Sequence, residues 1–507
     1  MSNIVAMRGF LASSIGVTCA AALALPLTPP AVAATARPAL GAEAATSAGT
    51  MAGPAVRQPG GESYVPGSTQ SLPLAPLDGD RVSGAPAEQG LSPRGVGHFS
   101  LVGVIWDDPD VELHGRVQVR ARAVGTGIWS GWQDVETHNA DHAADPGTAE
   151  RTSGRVRGST APLWVGESDG VEVRVTPEAT EAAGPRPTGE PEKASEEPED
   201  GVGGSGDDTT ARPEAASTLP AGLRLELVDP GDPAPAQGGD TAGAPRPGTL
   251  NPETVETAES LAASAANVDL APVGAAEIPE LGRAATEREL LALRGTELTQ
   301  EQRAKPYIGP RPRIVTRRGW GANESWRERS FVYTKKVQAA FVHHTASGSK
   351  YSCSQVPSLI RGIYRYHVVS MGWRDVGYNF LVDKCGNIYE GRAGGVAKPV
   401  LGAHTRGFNT NSMGIAVLGS YGVTKPTAAS VKAVARLTAW KLGLYGANPR
   451  GKTYLKSGGG NLYRKGKNVR LNVISGHRDG FSTECPGKQL YSKLGSARAS
   501  AARYQGR

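Results

Sequence analysis

At 507 residues the chain is too long for one ordinary core, yet an apolar fraction of 39% and an aromatic fraction of 6% are too low for three packed domains. The excess is Gly (66) and Pro (37), which gather with Ala, Glu, Asp and Thr in stretches unable to bury enough apolar surface to order themselves, so much of the chain reads as linker. The net charge of +6 hides a division: residues 311–507 carry 33 Lys or Arg against 7 Asp or Glu and the rest 22 against 42, so a cationic unit suited to a polyanionic partner follows an acidic lead.

A lone Arg8 precedes a small and apolar run from Gly9 to Leu27, and Ala31-Val32-Ala33 supplies the small-x-small pattern of a signal peptidase site. Residues 1–33 therefore read as a signal peptide, cleaved after Ala33, and the mature protein as secreted and cell-wall associated. Ser13, Ser14, Thr18 and Pro26 interrupt the run, which is short for a span, so the mature form is expected to carry no transmembrane anchor. Residues 34–96, rich in Ala, Pro and Gly, read as a disordered linker.

From residue 97 to 230 the texture is that of strands. Phe99 to Trp106 is apolar; Val117, Val119, Ala121 and Ala123 alternate with Gln118, Arg120 and Arg122; Val171, Val173 and Val175, then Leu223, Leu225 and Leu227, repeat the period. A separate all-β, sandwich-like domain is expected, with an acidic disordered insert over about 178–217. No cluster of His, Cys or paired acids is seen to converge in it, so the sequence gives it no catalytic part, and Trp129 and Trp132 are assigned to core packing rather than to sugar stacking. Residues 231–280 read as a second disordered linker, and 281–310, with Leu290, Leu291 and Leu293 among charges, as a short helical connector.

Residues 311–495 alternate strand and helix signals. Ala339 to Val342, Tyr378 to Val382, Asn387 to Glu390 and Gly414 to Leu418 read as strands; Val356 to Val369 and Ala428 to Leu442 carry helical spacing. An α/β domain with a central mixed sheet flanked by helices is expected, followed by a tail at 496–507. Three potential zinc donors, His343, His477 and Cys485, each follow an apolar strand or sit in a turn. A catalytic zinc takes three protein ligands and leaves a fourth position open to water, and two imidazoles with one thiolate satisfy that; their spacing alone proves little. With Cys19 lost in the signal peptide, three cysteines remain, an odd number that means a stray thiol or a pair plus one with another task; Cys353 and Cys385 are taken as the pair.

Six motifs occur in order: Phe341-Val342-His343-His344-Thr345, Gly372 to Phe380, Glu390-Gly391-Arg392, Gly402-Ala403-His404-Thr405, Asn411 to Ile415, and Gly476-His477-Arg478-Asp479 with Cys485-Pro486-Gly487. The set resembles the peptidoglycan recognition protein family and the related phage lysozyme-type amidases, the type 2 N-acetylmuramoyl-L-alanine amidases, over about residues 311–495. The resemblance implies Zn2+ held by His343, His477 and Cys485, catalytic assistance from Tyr378 and Thr483, and hydrolysis of the amide between N-acetylmuramic acid and L-alanine in peptidoglycan. His367, His404 and Arg392 then become substrate contacts, Arg392 because its planar fork matches a stem-peptide carboxylate. His344 should point to the opposite side of its strand, and neither Glu390 nor Asp375 is obviously placed as a base.

Two other readings compete. A muropeptide-binding module of the same fold would lack the cysteine ligand, so Cys485 with Tyr378 favours the enzyme. An extracellular polyanion binder is suggested by Lys452, Lys456, Arg464, Lys465, Lys467 and Arg470, but anionic wall polymers explain that run without nucleic acid. The protein is expected to act as a monomer.

Overall fold

The structure is a computed structural model that describes residues 67–77, 88–137, 139–178, 219–232 and 257–507. The signal peptide, nearly all of the acidic insert and about half of the second linker lie outside the described residues.

The alternating segments of the first half form one antiparallel sheet of eight strands: β1 (Thr69–Pro73), β2 (Ala75–Pro76), β3 (Gln89–Trp106), β4 (Gly115–Ala123), β5 (Gln133–Val135), β6 (Gly158–Ser159), β7 (Leu163–Pro177) and β8 (Arg224–Val228). Its spine runs β1-β8-β3-β7-β4-β5, with β2 and β6 added to β3. Register shifts between β3 and β7, at Leu91/Arg94, Gly95/Phe99 and Phe99/Leu101, insert extra residues that bend long strands. The sheet can thus wrap a core of Phe99, Val102, Val104, Val117, Val119, Val171, Val173 and Leu225. The domain begins earlier than residue 97. Leu72 of β1 pairs in register with Leu225, and Pro73 is tolerated because β1 is an edge strand. Trp129 and Trp132 are half-buried rather than core residues: the guanidinium of Arg120 lies 5.4 and 5.2 Å from their rings, and that of Arg174 lies 4.3 Å from Trp132.

The second half adds α1 (Ala258–Ala265), β9 (Glu277–Ile278), α2 (Arg283–Arg294), α3 (Gln300–Ala304), β10 (Ile314–Val315), β11 (Ala339–His344), α4 (Val356–Arg365), β12 (Phe380–Val382), β13 (Ile388–Glu390) and β14 (Ser412–Val417). It ends with α5 (Ala428–Gly443), β15 (Lys452–Lys456), β16 (Asn468–Asn472), β17 (Ile474–Gly476), α6 (Lys488–Tyr491) and α7 (Leu494–Gln505). Seven strands make a mixed sheet in the order β17-β11-β14-β12-β13-β10-β9, parallel from β17 to β12 and antiparallel at β12/β13 and β10/β9. Strand alternation explains the layering. Ala340, Val342, Phe380, Ile415 and Val417 face α5 and α7, whereas Leu381 and Ala416 face α4.

Two boundaries move. Residues 257–280, expected within a linker, are ordered against this sheet: Leu270, Ala271 and Ile278 enter its core and Asn267 donates to Glu390 at 2.9 Å. The expected tail is helix α7, whose Ala497 and Ala501 are buried and whose Gln505 Nε2 donates to Ala439 O at 3.0 Å. Short apolar stretches among small residues gave too weak a period to betray either. The basic run forms the β15/β16 hairpin, docked by Leu455, Val469 and Leu471 on Phe341 and Phe408 with its lysines and arginines exposed.

The two sheets share a core. Leu101, Ile105, Val156, Trp164 and Val228 of the β domain pack with Leu359, Ile363, Tyr366, Met371, Trp373 and Tyr378. The Tyr366 hydroxyl donates to Thr160 O at 3.1 Å, and a Cβ at Gly103 would lie 2.3 Å from that hydroxyl, so the close approach requires glycine. No helix among the described residues is long and apolar enough to cross a membrane.

Candidate metal centre

His343 is the fifth residue of β11, on the same face as Phe341, and is fully buried. Its Nε2 lies 3.3 Å from both Thr405 Oγ1 and His404 Nδ1, which leaves Nδ1 directed toward Cys485 Sγ at 3.8 Å. His477 follows β17 in a short 3-10 turn over His477–Asp479. Asp479 Oδ2 accepts from Gly476 N at 2.9 Å, and Arg478 N donates to Cys485 O at 3.1 Å, tying this turn to the cysteine loop. Cys485 N donates to Thr483 Oγ1 at 3.1 Å, so Thr483 stations the cysteine.

A fourth donor joins these three. His142, from the loop between β5 and β6, places Nε2 3.5 Å from Cys485 Sγ while its Nδ1 contacts Asp141 Oδ1 at 2.9 Å. One donor atom from each of His142, His343, His477 and Cys485 lies within 4.8 Å of every other. Bonds of about 2.0 to 2.3 Å in a tetrahedral zinc site put neighbouring donors about 3.3 to 3.8 Å apart, the spacing seen around Cys485. The His142–Asp141 contact is the carboxylate–imidazole pairing that orients a metal-bound histidine.

The donor set fits a soft, borderline cation. Both ring nitrogens of His477 are buried without a hydrogen-bond partner among the described residues, a loss that a coordinate bond would repair. Burial, with His477, His142 and His404 nearby, holds the His343 imidazole far below its ordinary pKa, and burial lowers His477 to about 3, so both lone pairs are available. Burial drives the Cys485 thiol well up, and only a cation beside it would make the thiolate favourable.

Beside the three ligands expected from the sequence, a fourth donor side chain therefore lines the centre. That donor comes from the β domain, which was expected to have no catalytic part. The signal was the stretch Thr137-His138-Asn139-Ala140-Asp141-His142, dense in metal-ligating residues but isolated from the other donors in the chain.

The remaining residues divide. Tyr378 is 4% exposed, its ring centroid 5.6 Å from that of His343 and 5.9 Å from that of His142. Burial, with Cys485 and Asp141 adding to it, raises its phenol far above the usual value, so it remains a donor. Arg392 is buried in a two-pronged ion pair, Nη1 to Glu150 Oε2 at 2.9 Å and Nη2 to Glu150 Oε1 at 2.8 Å. Burial opposes charge on Glu150, but Arg392 and a bond from Arg374 N outweigh it and hold the carboxyl below its usual range.

Expected at the groove, His404 instead lies behind His343 with no exposed surface, its Nδ1 3.0 Å from Thr405 Oγ1 and its Nε2 3.4 Å from Ser412 Oγ. A Cβ at Gly414 would sit 2.4 Å from its ring, so β14 needs glycine there. His367 stacks on Trp373 at 4.6 Å and accepts from Gly377 N at 3.2 Å, a packing role under the Tyr378 loop. His344 points away, accepting from Tyr421 N at 3.3 Å. Glu390 and Asp375 serve elsewhere: Asp375 pairs with Arg317 at 3.0 Å, and Glu390 accepts from Asn267 and Arg317 N. Cys353 and Cys385 are joined in a disulfide, Cα to Cα 6.4 Å, which ties the start of α4 to the β12/β13 turn.

Residues 333–488 match the N-acetylmuramoyl-L-alanine amidase family model, and residues 55–199 match one described as Rv3811 N-terminal galactose-binding domain-like. Peptidoglycan-recognition protein SC2 of Drosophila simulans is 30% identical over 181 residues, 36% of this chain and 84% of that protein. N-acetylmuramoyl-L-alanine amidase of Homo sapiens is 30% identical over 201 residues, 39% of this chain and 29% of that protein. Among solved structures, Drosophila PGRP-LB is 26% identical, with 36% of this chain and 92% of that chain covered and a TM-score of 0.29. With its six ordered motifs, the amidase family match and a Drosophila simulans relative covered over 84% of its length, the chain belongs to the peptidoglycan recognition protein and type 2 N-acetylmuramoyl-L-alanine amidase family.

Proposed function

We propose that the C-terminal domain is a zinc-dependent amidase that hydrolyses the bond between N-acetylmuramic acid and L-alanine in peptidoglycan, acting outside the cytoplasm after export. The observation that carries this reading is the convergence of His343, His477 and Cys485, with both ring nitrogens of His477 buried without a hydrogen bond and only Asp141 Oδ2, 3.7 Å from Nδ1, as a charged neighbour among the described residues. Those three residues would hold the ion, and a bound zinc supplies Lewis acidity toward the amide carbonyl and acidifies the attacking water.

The chain's own groups do the rest. His404 and Thr405 fix the ring of His343 through its Nε2. The Tyr378 hydroxyl, kept protonated by burial, donates to the oxyanion that develops on the scissile carbonyl. Thr483 holds the Cys485 loop and offers its hydroxyl to the same centre. Arg392 provides a bidentate seat for a stem-peptide carboxylate, and the exposed cations of the β15/β16 hairpin suit anionic wall polymers.

The second reading, a peptidoglycan-binding module with a purely structural metal, draws on the fourth donor, because sites with four protein ligands are closed. The experiment that separates the two measures zinc per chain and release of free stem peptides from purified peptidoglycan, with and without chelator. It uses the wild type, His477→Ala and His142→Ala. Zinc loss and loss of release in His477→Ala are expected. Folded, zinc-loaded wild type and His142→Ala that both release nothing would leave only the binding module.

A further inference from the structure

Residues 139–150 lie along the amidase domain as a bound peptide would. The Asp141 carbonyl accepts from Arg406 N at 2.9 Å, the Ala143 carbonyl from Asn409 Nδ2 at 2.8 Å, and Asp145 Oδ1 from Gly407 N at 2.8 Å. At one end of this stretch His142 reaches the metal donors, and at the other Glu150 holds Arg392. A peptidoglycan stem offers two groups of matching character, an amide carbonyl for the metal and a free carboxylate for a guanidinium fork. One loop of the chain's own β domain thus fills both positions at once.

We propose that the β5–β6 loop is an internal competitive inhibitor, in which His142 is the fourth protein ligand of the metal and Glu150 occupies the seat of a substrate carboxylate on Arg392. The proposal rests on the amidase reading. Four protein ligands leave no place for water, so the resting chain is latent, and tethering gives the loop an effective concentration that a soluble fragment has to overcome. Asp141, buried and bonded to His142, orients the imidazole toward Cys485, and its Oδ2 lies 3.7 Å from His477 Nδ1.

The closure is local. The shared core through Leu101, Trp164 and Tyr366 holds the two sheets together, and of residues 139–150 it includes Ala144 alone. A cavity of about 330 Å³ beside the Glu150–Arg392 pair, lined by Phe331, Arg374 and Leu401, remains open to an incoming muropeptide. A substrate carboxylate arriving there competes with Glu150 before the imidazole is displaced. The activating ligand is therefore an anionic stem peptide.

The test compares the full-length wild type with His142→Ala, each loaded with Co2+ in place of zinc. X-ray absorption and visible spectra report the ligands, and stem release from purified peptidoglycan by the zinc forms reports the inhibition. The expected result is three imidazoles and one sulfur in the wild type, two imidazoles, one sulfur and an exchangeable oxygen in the variant, and stem release at least about 10-fold faster in the variant. An unchanged ligand set in His142→Ala, or equal and measurable release from both proteins, overturns the proposal. Should His142→Ala not fold, the wild-type imidazole count decides, three supporting and two refuting. A ligand change without release from either protein fails the amidase reading instead and leaves the ligand assignment standing.

Discussion

Replacing Glu150 by glutamine should open the loop without unfolding the protein, and its size can be worked from the contacts. Glu150 accepts three hydrogen bonds, two from Arg392 and one from Arg374 N at 3.2 Å. An amide whose oxygen keeps the Oε1 position retains two of them but turns an NH2 toward Arg392 Nη1. Removing one partner of a buried ion pair costs about 3 to 5 kcal/mol. The lower end applies, because Arg392 stays anchored by its Nε on Val376 O at 2.9 Å and keeps the Asp375 charge nearby. About 3 kcal/mol shifts the docking equilibrium of the loop roughly 150-fold. The amides of Arg406 and Gly407, which donate to Asp141 O and Asp145 Oδ1, read that equilibrium by hydrogen exchange. They should exchange about 100-fold faster in Glu150→Gln, while amides of the fully buried strand β11 exchange as in the wild type. Equal acceleration of both sets would mean that the loop undocks only with global unfolding, and no acceleration at Arg406 and Gly407 would mean that the ion pair does not hold it.

Cys485→Ser should lower zinc affinity more than about 100-fold, beyond the 10- to 100-fold usual for residues that only orient a ligand, as read by competition with a chromophoric chelator. His404→Gln, which disturbs the support of His343 Nε2, should fall inside that 10- to 100-fold window; no change would show that Thr405 alone fixes the ring. Burial raises Glu390 to about 7 against bonds from Asn267 and Arg317 N, so the folded state binds more protons than the unfolded one between about pH 4.5 and 7. That contribution is full below pH 4.5 and is lost as pH rises. Urea melts should show the wild type losing about 3 kcal/mol relative to Glu390→Gln between pH 4.5 and 8, and parallel curves would refute the burial argument.

The residues that carry the mixed sheet were legible because its central strands are short, mostly apolar runs, and a chemistry-bearing residue stands at the end of such a run or just past it. That is also why His343, at the end of β11, and His477, just past β17, could be singled out. Arg392 was recognised as a carboxylate binder from the geometry of its side chain, and what the sequence did not show was that the carboxylate would be internal. His404 was read too far forward, since a histidine after Gly402-Ala403 can face either the groove or the strand behind it, and the glycine at 414 that makes room behind lies on another element.

His142 marks the limit of that kind of reading. It stands 343 positions before Cys485, in a polar loop whose period says nothing about burial, and only the docking of one sheet on another brings it to 3.5 Å. That docking depends on Tyr366, Trp164 and Leu101, each of which reads in sequence as an ordinary core residue of its own domain. Counting ligands along a chain therefore settles which residues can bind a metal but not how many do, and it is the number, three or four, that decides whether water has a place at the centre. Openness on this proposal is a property of the interface between the two sheets, and a change at Glu150, far in sequence from every amidase motif, is expected to alter it.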